Sequence, residues 1–276
     1  MKLARTADLA GMEAMFEAGQ ASPTDVAART NSVQLIEYLL SKRLNASTTD
    51  DEGETPLHLA IAHSSDYNVS RLLIDKGADI NSSSIDGGSP LHTFFNETVS
   101  RVILCHGKSM EANTKDSRGR TPLHYLAWSS RSTVKDINAC PVDESCFAAQ
   151  DEEGRTPLHF AARRGNVELA KYMINLLPSP SINQTDRNGQ TAFHCATESK
   201  RVEIIDVMKD GGLDVRGRDH RRRSPLHHAA LHGNLDAVRK VVALAGRQEL
   251  EQRDLDGRTP FQLAERYGGG REPEAT

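Results

Sequence analysis

One short pattern, repeated at an almost constant interval, constrains this 276-residue chain more than any other property. Its clearest copies read Thr55-Pro56-Leu57-His58, Ser89-Pro90-Leu91-His92, Thr121-Pro122-Leu123-His124 and Thr156-Pro157-Leu158-His159. Weaker copies follow at Thr191-Ala192-Phe193-His194, Ser224-Pro225-Leu226-His227 and Thr259-Pro260-Phe261-Gln262, and a decayed one precedes them at Ser22-Pro23-Thr24-Asp25. From position 22 the steps are 33, 34, 32, 35, 35, 33 and 35 residues. Such self-similarity marks an array of supersecondary units, each unable to bury its apolar face alone.

Each residue of the unit has a physical job. Thr or Ser suits a helix N-cap, and Pro fits the first helical position, where its missing N–H costs nothing. The tetrad therefore starts a helix, and the histidine three residues after the cap lies on the same side of the first turn. Its regular recurrence predicts a structural hydrogen bond in every repeat. Small or apolar residues such as Ala161, Ala196 and Ala229 follow, where a neighbouring helix can approach closely. A second apolar period, as in Val167, Leu169, Ala170, Met173 and Ile174, predicts the second helix of a hairpin. Between hairpins runs a polar segment with Asp and Gly at fixed offsets, such as Asp151 with Gly154 and Asp186 with Gly189. That spacing predicts a tight turn with Gly at positive φ, projecting as a finger.

These elements together, Asp-x-x-Gly-x-Thr-Pro-Leu-His-x-Ala and then Leu72-Leu73-Ile74-Asp75-Lys76-Gly77-Ala78-Asp79-Ile80-Asn81, resemble the ankyrin repeat family. The resemblance implies an all-α solenoid of stacked helix-turn-helix units with β-turn or hairpin fingers. It covers residues 22–268, with units starting at 22, 55, 89, 121, 156, 191, 224 and 259, the last partial. Residues 1–21 are expected to form a capping helix or half-repeat, and 269–276 a disordered tail.

Three units depart from the pattern. The unit from Ser89 is short and carries Phe94-Phe95, so its second helix is expected to be irregular. In the unit from Thr121, Pro141 interrupts the second helix and residues 138–149 are expected to form a loop. Arg222 occupies the Gly position of its finger, where a left-handed conformation costs on the order of 1 kcal/mol.

Composition narrows the function. With 34 Lys+Arg against 38 Asp+Glu the formal net charge is -4, so bulk nucleic-acid binding is disfavoured. Charges through the first twenty residues break up any export signal, and the apolar stretches are too short to span a membrane. Cys105, Cys140, Cys146 and Cys195 are too sparse for a disulfide scaffold. A cytoplasmic or nuclear setting is the expectation.

Catalytic, cofactor and metal sites are not expected. Six histidines belong to the repeat, and Cys140 and Cys146 are too far apart for a Cys-x-x-Cys motif. His228 and His232 stand four apart on one helix but show no third ligand at a recognisable spacing. The glycines 268–270 lack the lysine of a phosphate loop, and the acidic clusters lie on exposed turns. Asn81 ends a segment similar to the one hydroxylated in some ankyrin repeats, although a turn asparagine already accounts for it.

What the resemblance implies for function is a protein–protein scaffold or adaptor that uses the concave face of its stack, without catalysis. By position in the repeat, the fingers would contribute Arg118, Arg120, Arg155, Arg187, Arg221, Arg223 and Arg258 to the contact face. The first helices would add Trp128, Arg163, Arg164 and His232. The acidic Asp51, Glu52 and Glu54 stand at the other end. This arginine-rich zone predicts a protein partner with an acidic or phosphorylated segment, bound by a monomer. The alternatives are an enzyme or regulatory subunit with a site near the irregular unit 121–155, and the ankyrin portion of a larger receptor or regulator.

Overall fold

The computed structural model describes residues 47–63, 67–93, 96–106, 109–129, 131–140 and 142–267, with Val33 alone before them. The expected N-terminal cap, most of the unit from Ser22 and the tail lie outside the described residues. Two compact units divide the chain. Of the described residues, one takes in those up to Tyr125 together with those of Lys135–Val142, and the other those of Leu126–Val134 with those from Asp143 onward.

The helices come in pairs, as the repeat predicts. In chain order they are α1 (Pro56–His63), α2 (Tyr67–Asp75), α3 (Glu97–His106), α4 (Pro122–Trp128), α5 (Val134–Asn138), α6 (Glu144–Ala148) and α7 (Pro157–Arg164). There follow α8 (Val167–Leu176), α9 (Ser179–Ile182), α10 (Ala192–Ala196), α11 (Glu203–Asp210), α12 (Pro225–Leu231), α13 (Leu235–Ala245) and α14 (Pro260–Tyr267). Among the described residues, β-pairing is confined to one isolated bridge, Thr185 with Thr191. The class is therefore all-α, with turns rather than strands as fingers.

The hairpin from Thr156 shows how the sequence dictates the unit. Thr156 is extended (φ -94°, ψ 165°) and Pro157 opens α7 without wasting a donor. Gly165 ends the helix in the left-handed region at φ 68°, where a Cβ would be strained. Asn166 then caps α8 by accepting the Leu169 N–H on its side chain (3.2 Å). The inward faces, Leu158, Ala161, Leu169, Ala170 and Met173, are buried. Ala161, Ala196 and Ala229 are wholly shielded from solvent, as expected where first helices approach closely. Truncating Leu158 to Ala costs about 2–5 kcal/mol on this packing.

Two expectations need correction. In the unit from Ser89 the second helix is regular, because Glu97–His106 runs for 10 residues with Asn96 capping it through the Val99 N–H. The irregularity falls on the first helix, where residues 90–93 make turns and bends instead. In the unit from Thr121, residues 138–149 are not all loop. Asp143 accepts the Cys146 N–H and starts α6, whose Cys146 and Phe147 are buried. A local cap and two apolar anchors suffice for that single turn.

Candidate functional site

Three sets of polar residues build the frame from which any contact surface projects. The histidines form the first. In the unit from Thr156, His159 Nδ1 accepts the Thr156 backbone N–H (3.1 Å) and contacts its hydroxyl (2.9 Å). The proton therefore sits on Nε2, which donates to the Gln190 carbonyl at 3.1 Å. His58 reaches Gly88, His92 reaches Arg120 and His194 reaches Arg223 in the same manner. Each acceptor is the residue just before the next repeat's cap, so one imidazole both caps its own helix and holds the following repeat. Burial drives the pKa of His159 and His58 down, and takes that of His194 to about 3 and of His227 to about 4. These rings are neutral struts.

The finger aspartates form the second set. Oδ1 of Asp151 accepts the N–H groups of Glu153 (3.0 Å) and Arg155 (2.8 Å), and Asp116, Asp186, Asp219 and Asp254 repeat the arrangement. Successive fingertips are also joined by backbone bonds: Ser117 N–H to Asp86, Arg187 to Glu153, His220 to Asn188 and Leu255 to Arg221. Sequence reasoning missed the third set. Asn166 Nδ2 donates back to the carbonyls of Ser129 and Ser132, and Asn234 to those of Thr197 and Ser199. An asparagine ten residues after the cap was the available signal. Asn81 belongs to the frame as well, donating to Ser109 (2.8 Å) and accepting from Glu111 (2.9 Å).

The frame sorts the expected contact residues. Arg118, Arg187 and Arg221 are true fingertips and are exposed, with Arg221 3.8 Å from Asp256. Arg120, Arg155, Arg223 and Arg258 stand instead at the finger base, in the position whose backbone N–H the finger aspartate takes. Arg223 is the plain correction: its side chain is only 5% exposed and faces Asp254 at 3.5 Å. Arg155 is bound by Asp151 and Glu153 and lies over Phe160, while Arg258 meets Asp254 and Asp256. Arg163 is paired with Glu198 (2.9 Å), and His232 lies 3.8 Å from the same carboxylate. Much of the arginine charge is thus compensated within the protein, which the sequence alone could not show.

A different cluster stands out in the second unit. The Arg164 guanidinium lies 4.7 Å from the Trp128 ring centroid and donates to the Trp128 carbonyl (3.0 Å). Trp128 in turn meets Phe160 edge-on at 5.6 Å. In the first unit, a cleft of about 360 Å³ is lined by His58, His92, Asp116, Arg118, Arg120 and Tyr125, among others. The Tyr125 hydroxyl donates to Asp116 there (2.7 Å).

Near the irregular unit, Cys146 is buried and its thiol is pushed up, first by burial, the reverse of what activates a nucleophile. Cys140 faces the Met110 sulfur at 3.6 Å and the Asp136 carbonyl at 3.3 Å. No helix among the described residues is long and apolar enough to cross a membrane.

Paired helices, capping histidines and hydrogen-bonded fingers define a repeat protein in which stacking is the structural principle. The family model for ankyrin repeats (3 copies) matches residues 14–84 and 137–219, and the chain belongs to that family. Repeats of this kind generally mediate protein–protein interaction. Among relatives, the chain is 30% identical over 219 residues to the probable 26S proteasome regulatory subunit p28 of Saccharomyces cerevisiae, covering 77% of this chain and 80% of that protein. It is 24% identical over 258 residues to the E3 ubiquitin-protein ligase KEG of Arabidopsis thaliana, covering 84% of this chain but 15% of the ligase. With palmitoyltransferase akr1 of Neurospora crassa it shares 34% identity over 45% of this chain and 14% of that enzyme.

Proposed function

We propose that the chain is a non-catalytic scaffold or adaptor, monomeric and cytoplasmic or nuclear, that binds a protein partner. In the second unit the contact surface centres on Trp128 and Arg164, with the fingertips Arg187 and Arg221 at its edge. The observation that carries this reading is the Arg164 guanidinium over the Trp128 ring at 4.7 Å. Trp and Arg are the residues enriched where alanine substitution costs most at interfaces. Stacking fixes the arginine without cancelling its charge, so it can pair bidentately with a carboxylate or phosphate while the indole edge buries apolar surface.

The partner segment is therefore acidic or phosphorylated. The 80% share of the yeast proteasome regulatory subunit that aligns supports a role in which the repeats themselves do the binding. The small share of the ubiquitin ligase favours a second reading, in which the repeats belong to a larger regulator. The size of the native protein on an immunoblot separates the two.

The test is affinity purification from native cells with mass spectrometry, comparing the intact chain with Trp128→Ala and Arg164→Glu. A partner carrying an acidic or phosphorylated segment, retained by the intact chain and lost by both variants, is expected. A partner retained equally by both variants overturns the assignment of the surface.

A further inference from the structure

We infer that Glu198, His228 and His232 form a binding site for a divalent transition metal, zinc above all. One ligand atom from each lies within 4.8 Å of the other two. His228 and His232 share one face at the end of α12, and Glu198 arrives from the preceding repeat, which explains why no local sequence spacing announced it.

The hydrogen bonds around the trio are those of prepared ligands. His228 Nε2 lies 2.9 Å from Asp219 Oδ2, an acceptor, so that nitrogen carries the proton and Nδ1 is the one left to give. His232 Nδ1 lies 2.9 Å from the His228 carbonyl, also only an acceptor, so its Nε2 presents a lone pair. That lone pair faces Glu198 Oε2 at 3.8 Å, two acceptors with room for a cation between them. A carboxylate or carbonyl fixing the far nitrogen of each imidazole is the usual outer shell of a histidine-bound metal.

Two imidazoles and one carboxylate suit zinc, with water completing a tetrahedron. Bonds of about 2.0–2.1 Å bring tetrahedral ligands to about 3.3 Å apart, so modest side-chain closure completes the site. His232 is 43% exposed and gives the ion its way in. Arg163 is the competitor: its guanidinium now occupies both Glu198 oxygens, at 2.9 Å each, and must surrender at least one. Metal binding and the Arg163–Glu198 pair are therefore in exchange.

The experiment titrates Zn2+ alone into the full chain, first stripped with chelator, by calorimetry. One equivalent should bind to the unaltered chain, at least tenfold more weakly to His232→Ala and to Glu198→Gln, and more tightly to Arg163→Ala. Because His232 is at the surface, His232→Ala should keep its thermal midpoint in chelator, separating lost ligation from lost fold. Absence of binding by the unaltered chain, or equal binding by a folded His232→Ala, overturns the site. Unchanged affinity in Arg163→Ala overturns the exchange with Arg163.

Discussion

Arg223 and Asp254 face each other at 3.5 Å with side chains 5% and 1% exposed, joining the base of one finger to the next. Removing Arg223 leaves the buried Asp254 carboxylate with Arg258 as a cationic partner and two backbone N–H donors, so the charge is weakened in its compensation rather than stranded. Arg223→Ala should therefore destabilise the protein by about 1–3 kcal/mol, less than the loss of an isolated buried pair. Urea denaturation measures it. A variant as stable as the parent would show that the guanidinium is solvated and available to a partner after all.

The repeat histidines give a second expectation. His159 holds bonds both to its own cap and to Gln190, so His159→Ala should cost about 1–3 kcal/mol through unsatisfied buried groups. Melting followed by circular dichroism checks this, and a loss below about 0.5 kcal/mol would contradict the strut role.

The same rings make the protein acid-labile. Above about pH 7.5 histidine is essentially neutral in both folded and unfolded chains and contributes little pH dependence. Below that, the unfolded chain takes up protons that His194, at about 3, and His227, at about 4, refuse while folded. The unfolded state then binds more protons, so stability falls with falling pH, by about 1 kcal/mol per pH unit for each such ring. Denaturation curves at pH 7.5, 6 and 5 should show a steepening decline. A flat profile across that range would mean that the rings titrate normally in the fold.

Two finger positions should respond in opposite directions. Gly189 has φ 79°, and a Cβ there would stand 2.7 Å from the His220 nitrogen, so Gly189→Ala should destabilise by at least 1 kcal/mol. Arg222 sits at φ 59° in the equivalent place without the freedom of glycine. Arg222→Gly relieves about 1 kcal/mol of strain but loosens the unfolded chain, leaving a gain of roughly 0.5 kcal/mol. Differential scanning calorimetry on both variants provides the comparison.

Partner binding should depend on the fingertips through rate. Reversing the exposed Arg187 and Arg221 to Glu should slow association with an acidic segment, most at low ionic strength, while Trp128→Ala should chiefly speed dissociation. Surface plasmon resonance at two salt concentrations distinguishes them. An association rate indifferent to the reversal would move the contact away from these fingers.

The repeat period, the bond of each histidine to its own cap, the finger turns and the strain at Arg222 were legible because each rests on residues close in sequence. What escaped depends on pairing between repeats. Arg223 resembles a fingertip arginine in a linear reading, yet it is buried against Asp254 of the next finger, a partner that only stacking reveals, whereas Arg155 and Arg258 meet the aspartate of their own finger. The backward reach of Asn166 over 37 residues to Ser129 was hidden for the same reason, as was the arrival of Glu198 beside His232. The first helix lost from the unit at Ser89 shows the limit of the tetrad: Ser89 and His92 still make their bonds, but those bonds alone do not propagate a helix.

Arg201 stands in the register of Asn166 and Asn234, and α11 begins after Val202 with no side-chain cap. The junction between the repeats from 156 and 191 therefore lacks the amide clasp present on either side, and Arg163 with Glu198 spans it by charge. The close packing of α7 on α10 and of α8 on α11 holds the body of that seam, and what is left weak is the uncapped first turn of α11. Amide protons in that turn should exchange with deuterium before those in the capped first turns of α8 and α13, giving the second unit a built-in place to breathe.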